Sequence, residues 1–321
     1  MIKNPPLIKM TVLEMGGKIE ELIPRRGIFY IHLKGKRMLV CRKFEIASNL
    51  TTGKETTKFK DLTYILLKEK GIPTPKTVNI HRKMPSNKLG ARLKTLKFPI
   101  IVKDAQGSQS KGIFANIADI KTAEKIIKRE LKNFSRLIAQ EMVIGDEYRI
   151  TILGKKMLGA VKLIPPRIIG NGKDNIKKLI EIKQKNTRRK TPFDSRLSST
   201  LAEQSFTLRS VPEKGTIIYI RKNSVLDEGG ETEDATDQVH KKIKAVCAAT
   251  ARATGKYLAG IDLMCDDISK DPGKQNFNII EINGKPDIYL HYNPTRGKTR
   301  NVVKDIIVFL LKLKKRRALI V

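Results

Sequence analysis

Apolar residues recur along this chain with two spacings, and the switches between them mark its elements. Short alternating or β-branched runs predict strands, and apolar residues at i, i+3 and i+4 predict helices. "GIFYIHL" (27–33) and "KRMLVCRKF" (36–44) read as a hairpin turning at Gly35-Lys36, and the polar stretch "SNLTTGKETTK" (48–58) as a loop. In "KDLTYILLKEKGIPTPK", Leu62, Ile65 and Leu66 set a helical spacing that Gly71 ends and Pro73 and Pro75 keep from resuming. "TVNI" and "FPIIVKD" (98–104) read as strands, "QGSQSKG" (106–112) as a small-residue loop, and 119–134 as an amphipathic helix with Ile126, Ile127 and Leu131 inward. A strand at 136–143 and a hairpin over 147–164, turning at Gly154-Lys155, come next. Residues 165–210 are basic and rich in turn formers around one helix, "IKKLIEIKQK"; a strand follows at 216–220. The chain closes with a helix at 234–256, strands at 258–267 and 277–283, and an amphipathic helix at 301–317 that ends in "KKRR". With no internal repeat, the pattern predicts an α+β architecture of antiparallel hairpins flanked by helices.

One strand breaks its own pattern. In "FNIIEIN" (277–283), alternation puts Ile280 and Ile282 on one face and Glu281 and Asn283 on the other. A carboxylate and an amide in an apolar strand are costly unless satisfied. "AGIDLMCDD" repeats the oddity at Asp262, and pairing Asp262 with Glu281 centres the connection on "DPG", a strong turn signal. That register gathers Asp262, Glu281 and Asn283 on one face. Two crowded carboxylates call for a cation between them, and hard oxygen donors suit magnesium carrying phosphates. Surface acids paired with lysines remain the other reading of these residues.

The composition narrows the classes. The hydrophobic fraction of 40% supports a buried core, and with aromatics at 5% and no Trp that core must rest on Ile, Leu and Val. Lys+Arg is 65 against Asp+Glu 32, a net charge of +33, which attracts polyanions such as nucleic acid, anionic lipid or acidic peptides. Cys41, Cys247 and Cys265 form no CxxC pair and are odd in number, which speaks for small buried hydrophobes in a reducing compartment and against disulfides or zinc. The N-terminus lacks the apolar core of a signal peptide, and no apolar run reaches the ~18 residues that span a bilayer. The expected location is the cytoplasm.

Further residues suit phosphate chemistry. Lys103 ends the apolar strand "FPIIV", and the loop after it holds Gly107, Lys111 and Gly112, whose backbone N–H groups can cover phosphates without being a Walker A sequence. Arg221 and Asn223 follow "TIIYI" and precede Gly229-Gly230; Arg221 taken singly reads as a solvated surface residue. His32, His81 and His240 read as structural or exposed, and His291 as structural first and substrate-binding second.

In order, "LLKEKGIPTPK", "FPIIVKDAQGSQSKGI", "AQEMVIGDEYRI", "GNGKDNIKKLIEIKQKNTRR", "RKNSVLDEGGETEDATDQVH" and "EINGKPDIYLHYNPTRG" resemble the ATP-grasp superfamily of carboxylate–amine ligases. Over roughly residues 60–310 the likeness is to the ATP-grasp region of cyanophycin synthetases and bifunctional glutathione synthetases. The resemblance implies two α+β subdomains gripping ATP between antiparallel sheets. It divides the chain into a short β-rich extension (1–60), a lid subdomain (61–143) and a large subdomain (144–321). It implies an ADP-forming enzyme that phosphorylates a carboxylate and passes the acyl group to an amine. Lys103, Gly107, Lys111 and Gly112 would meet the ATP phosphates, Glu141, Met142 and Val143 the adenine, and Glu147 the ribose. Asp262, Glu281 and Asn283 would hold magnesium as two ions, with manganese an alternative, Arg221 and Asn223 would steady the transferring phosphate, and Arg149 a carboxylate or phosphate. The implied partner is an amino acid or acidic peptide, with no membrane and with homo-oligomers and RNA contact left open. Gln106, Gln109, Ser110 and Asp287 depart from the family pattern, and neither a Mur-ligase-like nor a glutamate–cysteine ligase region is present. A nucleic-acid-binding protein on a degenerate scaffold is the alternative, against which the complete set of Lys103, Asp262, Glu281 and Asn283 counts.

Overall fold

A computed structural model describes residues 3–46, 50–106, 112–187, 190–224 and 226–312. The chain divides into two units: Met1–Ala160, Ala235–Asn293 and Arg300–Val321 form the first, and Val161–Asp234 with Pro294–Thr299 the second.

The first unit opens with a helix, Asn4–Glu14, that the apolar spacing did not reveal. Its two prolines sit in the first turn, where a missing N–H costs nothing, and Leu7, Ile8 and Val12 are buried. The expected hairpin follows as Ile28–Leu33 and Lys36–Cys41, joined by Lys18–Ile23 into a three-stranded antiparallel sheet. The loop expected over 48–58 is instead a helix from Leu50 to Lys58 where it is described. Threonine-rich sequence is a weak helix former, and tertiary hydrogen bonds offset this. Thr56 Oγ1 donates to the Thr254 carbonyl at 2.7 Å, and the Thr63 hydroxyl donates to the Thr56 carbonyl.

A four-stranded antiparallel sheet runs in the order Thr77–His81, Arg136–Glu141, Ile100–Asp104, Ile113–Ile117. Helices Ser86–Leu93 and Ile120–Glu130 share its core. Ile127 is fully buried there, with Ile126 and Leu131 packed at the margin, as the spacing predicted.

The other large sheet of this unit places residues 156–160, Asp146–Leu153, Leu258–Cys265 and Phe277–Asn283 side by side in that order. Tyr148, Ile150, Ile152, Ile261, Leu263 and Ile279 cluster with Ile243, Cys247 and Ala251 of the helix Lys241–Ala253. Asp262 faces Glu281 in the predicted register, and Asp271 Oδ1 accepts from Gly273 N at 3.0 Å in the expected turn. A bulge then intervenes. Leu263 faces Ile279, and Ile280 falls outside the pairing. The buried pair of this strand is therefore Ile279 and Ile282, not Ile280 and Ile282.

In the second unit, Glu231–Asp234 pairs with residues 161–164, and Arg167–Ile169 pairs with Ile217–Tyr219. Helices Ile176–Thr187 and Ser195–Ala202 close a small core of Ile168, Ile176, Ile180, Leu197, Leu201, Ile218 and Ile220. In the first unit Cys247 and Cys265 are buried, and burial pushes the Cys265 thiol up to about 12; Cys41 is half-buried. Among the described residues no helix is long and apolar enough to cross a membrane.

Candidate active site

The face of the large sheet opposite its apolar core carries a charged row across three strands. Arg149 faces Asp262, and Asp262 faces Glu281. Arg149 grips Asp262 with both ends of its fork, Nε to Oδ1 at 2.5 Å and Nη2 to Oδ2 at 2.7 Å. Asn283 Nδ2 adds a bond to Oδ2 at 3.1 Å. Asp262 is 3% exposed. Burial pushes its carboxyl above the ordinary value, and Glu281 adds to this, while Arg149 and Asn283 pull it back. The Arg149 guanidinium is correspondingly held charged: Asp262 outweighs the effect of burial. Such a bidentate pair fixes both strands in one register.

Lys103 is 7% exposed at the end of its strand, and burial depresses its ammonium to about 8 against the opposing pull of Glu281. Its Nζ donates to the Tyr64 hydroxyl at 3.4 Å and lies 5.6 Å from the centre of that ring. The Tyr64 hydroxyl in turn donates to the Ile280 carbonyl at the bulge. Burial raises the Tyr64 phenol against an opposing hydrogen bond from Gln140, with a contribution from Glu281 and Asp262. Four residues earlier on the same helix, Lys60 Nζ lies 3.4 Å from Glu281 Oε1. Lys60 and Tyr64 were missed in the sequence because the apolar residues alone were read as the packed face. The helix Lys60–Glu69 instead buries Asp61, Thr63, Tyr64 and Leu67, while Ile65 is 45% exposed. Asp61 Oδ2 accepts from Arg136 Nη1 at 3.0 Å, a pairing 75 residues apart that no local spacing signals.

The strand ending at Glu141 lies beside the Lys103 strand, with Ile100 facing Glu141 and Lys103 facing Ile138. Glu141 Oε1 accepts from Lys97 N at 2.8 Å, Glu141 N donates to the Lys76 carbonyl, and Met142 N to that of Pro99. Met142, Val143 and Glu147 are half-buried, and Glu147 shares a strand face with Arg149. Gly112 has a φ of +69°, and a Cβ there would lie 3.0 Å from Phe134 Cζ, so glycine is required twice over. Gly107 and Lys111, like the "KKRR" tail, lie outside the described residues.

Within the second unit, Arg221 is buried, not solvated. Its guanidinium pairs with Glu228, donates to the Pro192 carbonyl at 2.8 Å and the Ile220 carbonyl at 2.9 Å, and lies 3.3 Å from Asp194 Oδ1. Asn223 is exposed. In the first unit, His291 is buried with Nε2 hydrogen-bonded to Thr151 Oγ1 at 2.7 Å.

The segment after Asn283 is held by the N-terminal region. Lys43 meets Asp287 at 2.6 Å, and Glu45 meets Lys256 at 2.8 Å and Lys285 at 2.9 Å. Asn4 accepts from Tyr289 N at 3.1 Å and donates to the Pro286 carbonyl at 3.3 Å. Asp287, a departure from the family pattern, thus has an ion-pair partner outside the matched motifs.

The oxygen set fits a hard divalent cation. Glu281 is a half-buried carboxylate on the edge strand, 3.4 Å from the Lys60 ammonium. Asn283 turns its amide nitrogen to Asp262, which leaves its carbonyl oxygen as the outward donor. A carboxylate has about four lone-pair sites, so the Arg149 fork does not exhaust Asp262. Among the described residues no group of three or more His, Cys, Asp and Glu could hold a metal; this set has only two carboxylates and completes itself with an amide.

No family model matches the chain. It is 28% identical over 260 residues to the glutathione biosynthesis bifunctional protein GshAB of Clostridium perfringens, a match covering 78% of this chain and 33% of that protein. It is 28% identical over 271 residues to a cyanophycin synthetase of Trichormus variabilis, covering 80% and 29%. A bifunctional glutathione synthetase from Pasteurella multocida has a similar solved structure, with a TM-score of 0.70 at 20% identity, covering 96% of this chain and 43% of that one. The chain spans about a third of the length of the curated relatives it matches. The sequence is thus similar to these two enzymes over about four fifths of this chain, and the fold is the α+β ATP-grasp fold.

Proposed function

We propose that the chain is an ATP- and magnesium-dependent ligase joining a carboxylate to an amine through an acyl phosphate, with ADP as product. The observation that carries this is the charged face on which Arg149, Asp262, Glu281 and Asn283 lie together, with buried Lys103 linked to it through Tyr64. Lys103 supplies positive charge to the phosphates, with Gly112 and the Gly107 and Lys111 loop covering them. Glu141, Met142 and Val143 line the adenine position and Glu147 the ribose. Asp262, Glu281 and Asn283 hold the magnesium, which when bound neutralises phosphate charge. Arg149 orients a carboxylate or phosphate oxygen, and Arg221 and Asn223 are assigned to the transferring phosphate by resemblance alone. Catalysis of this kind is positioning and charge neutralisation. Residues 61–143 are read as the lid half and 144–321 as the magnesium half, with 1–60 as an extension. The net charge of +33 favours an acidic carboxylate substrate, an amino acid or an acidic peptide.

The test is ADP release with magnesium across pairs of amino acids and acidic peptides, with Glu281→Ala beside the wild type. The reading expects substrate-dependent release that the variant loses. Release that is equal in the variant sinks the metal assignment.

A further inference from the structure

Tyr64 joins two parts of the candidate site that the sequence keeps apart. It is buried against Ala105 and Ile138 of the four-stranded sheet. Its hydroxyl accepts from Lys103 Nζ and donates to the Ile280 carbonyl, one residue before Glu281. The hydroxyl thereby touches both sheets, with the Gln140 amide as a further hydrogen-bond partner. The bulge is what makes this geometry available: Ile280 drops out of the cross-strand register, and the phenol takes its carbonyl. Lys60 and Tyr64, at i and i+4, share one helix face, so the helix reaches the Glu281 strand twice, by an ion pair and by the phenol.

A core tyrosine serving packing alone needs its ring and not this bridge. Lys103 is a buried ammonium on four flexible bonds, and a cation so placed acts at a fixed point only if something holds it. We propose that Tyr64 is a positioning residue that fixes the Lys103 ammonium relative to the Glu281 strand, so that the polyphosphate of a magnesium nucleotide meets both at one spacing. The inference rests on the ATP reading above.

Tyr64→Phe removes the hydroxyl and keeps the ring. The experiment measures MgATP and AMP binding by calorimetry on the full chain, for wild type, Tyr64→Phe, Lys103→Met and the double variant, with thermal melting as the check on folding. The phenol should act through Lys103, and a hydrogen bond to a charged group corresponds to a loss of about tenfold or more. The expected result is that loss for MgATP in Tyr64→Phe, unchanged AMP binding, and a double variant no weaker than Lys103→Met. The inference is overturned by wild-type MgATP affinity in Tyr64→Phe, by an equal loss for AMP, or by the same fold-loss recurring in the Lys103→Met background. Should Tyr64→Phe melt far below wild type, Lys60→Gln tests the same helix from its N-terminal end: its MgATP loss is expected to persist in Lys103→Met, and disappearance there would assign the coupling to Lys60 and overturn the role of the phenol. Wild type that binds no MgATP refutes the ATP reading itself, and is distinct from all of these outcomes.

Discussion

Lys256→Met is the sharpest test of how the N-terminal region is joined to the rest of the first unit. The Lys256 side chain is fully buried, and its ammonium lies 2.8 Å from Glu45, which is nearly as buried and has Lys285 as a second, half-exposed partner at 2.9 Å. Methionine preserves the volume of the stem and removes the charge, so Glu45 is left as a buried anion. Breaking a buried pair from one side costs about 3–5 kcal/mol, and the surviving Lys285 contact argues for the lower end, about 3 kcal/mol. In the wild type, burial raises the Glu45 carboxyl, but the bonds from Lys256 and Lys285 outweigh it and hold the group below its ordinary value. A carboxyl lower in the folded than in the unfolded state stabilises the fold above its unfolded value near 4.5, and that contribution is lost as pH falls through the folded value. In Lys256→Met burial is opposed by Lys285 alone, so the Glu45 carboxyl lies higher than in the wild type and the variant loses less at pH 5 than at pH 7. Urea denaturation at both pH values reads the prediction. Glu45→Gln/Lys256→Met, which leaves no buried charge, should recover most of the loss. A single-variant cost under about 1 kcal/mol at pH 7, or a double variant worse than the single, would refute the reasoning.

Three further outcomes follow from the same geometry. Asp262→Ala strips the Arg149 fork of its buried partner and should destabilise by about 3 kcal/mol or more in denaturant melts, beyond any loss of metal. Gly112→Ala meets both the φ of +69° and Phe134 at 3.0 Å, and should cost about 1–3 kcal/mol in thermal stability. Because burial sets the Lys103 ammonium at about 8, its charge is present below that pH and discharged above it. On the ATP reading proposed above, MgATP affinity should therefore fall between pH 7 and pH 9, and titrations on Lys103→Met should show no such fall.

Local chemistry made the Asp262–Glu281 pairing legible before any coordinates: alternation set the faces, and "DPG" set the centre of the turn. The same kind of signal found the Lys103 strand and the helix over 119–134, where burial follows apolar spacing. It failed where a polar partner far along the chain decided the outcome. The helix over 60–69 was read from Leu62, Ile65 and Leu66, but Asp61 pairs with Arg136 and Tyr64 with Ile280, and those contacts turn the opposite face inward. The helix from Leu50 was masked by threonines whose hydroxyls bond to carbonyls. Arg149 could not be paired with Asp262 from spacing, because nothing local says that residues 146–153 lie beside 258–265.

The bulge at Ile280 belongs to this second class, and it changes what the polar strand means. A regular strand would have kept Glu281 and Asn283 on one face at the expense of burying Ile280 beside Ile282. Omitting Ile280 from the register lets Ile279 and Ile282 both face the core, although they are three residues apart, while Glu281 stays opposite Asp262. The omission would leave a backbone carbonyl without a ladder partner, and an unmade bond of that kind costs about 1–3 kcal/mol when buried. The Tyr64 hydroxyl supplies the bond, and that hydroxyl also meets Lys103. The group that makes the irregular strand tolerable is thus the one that ties it to Lys103, so the irregularity of the strand and the assembly of the candidate site are a single structural solution.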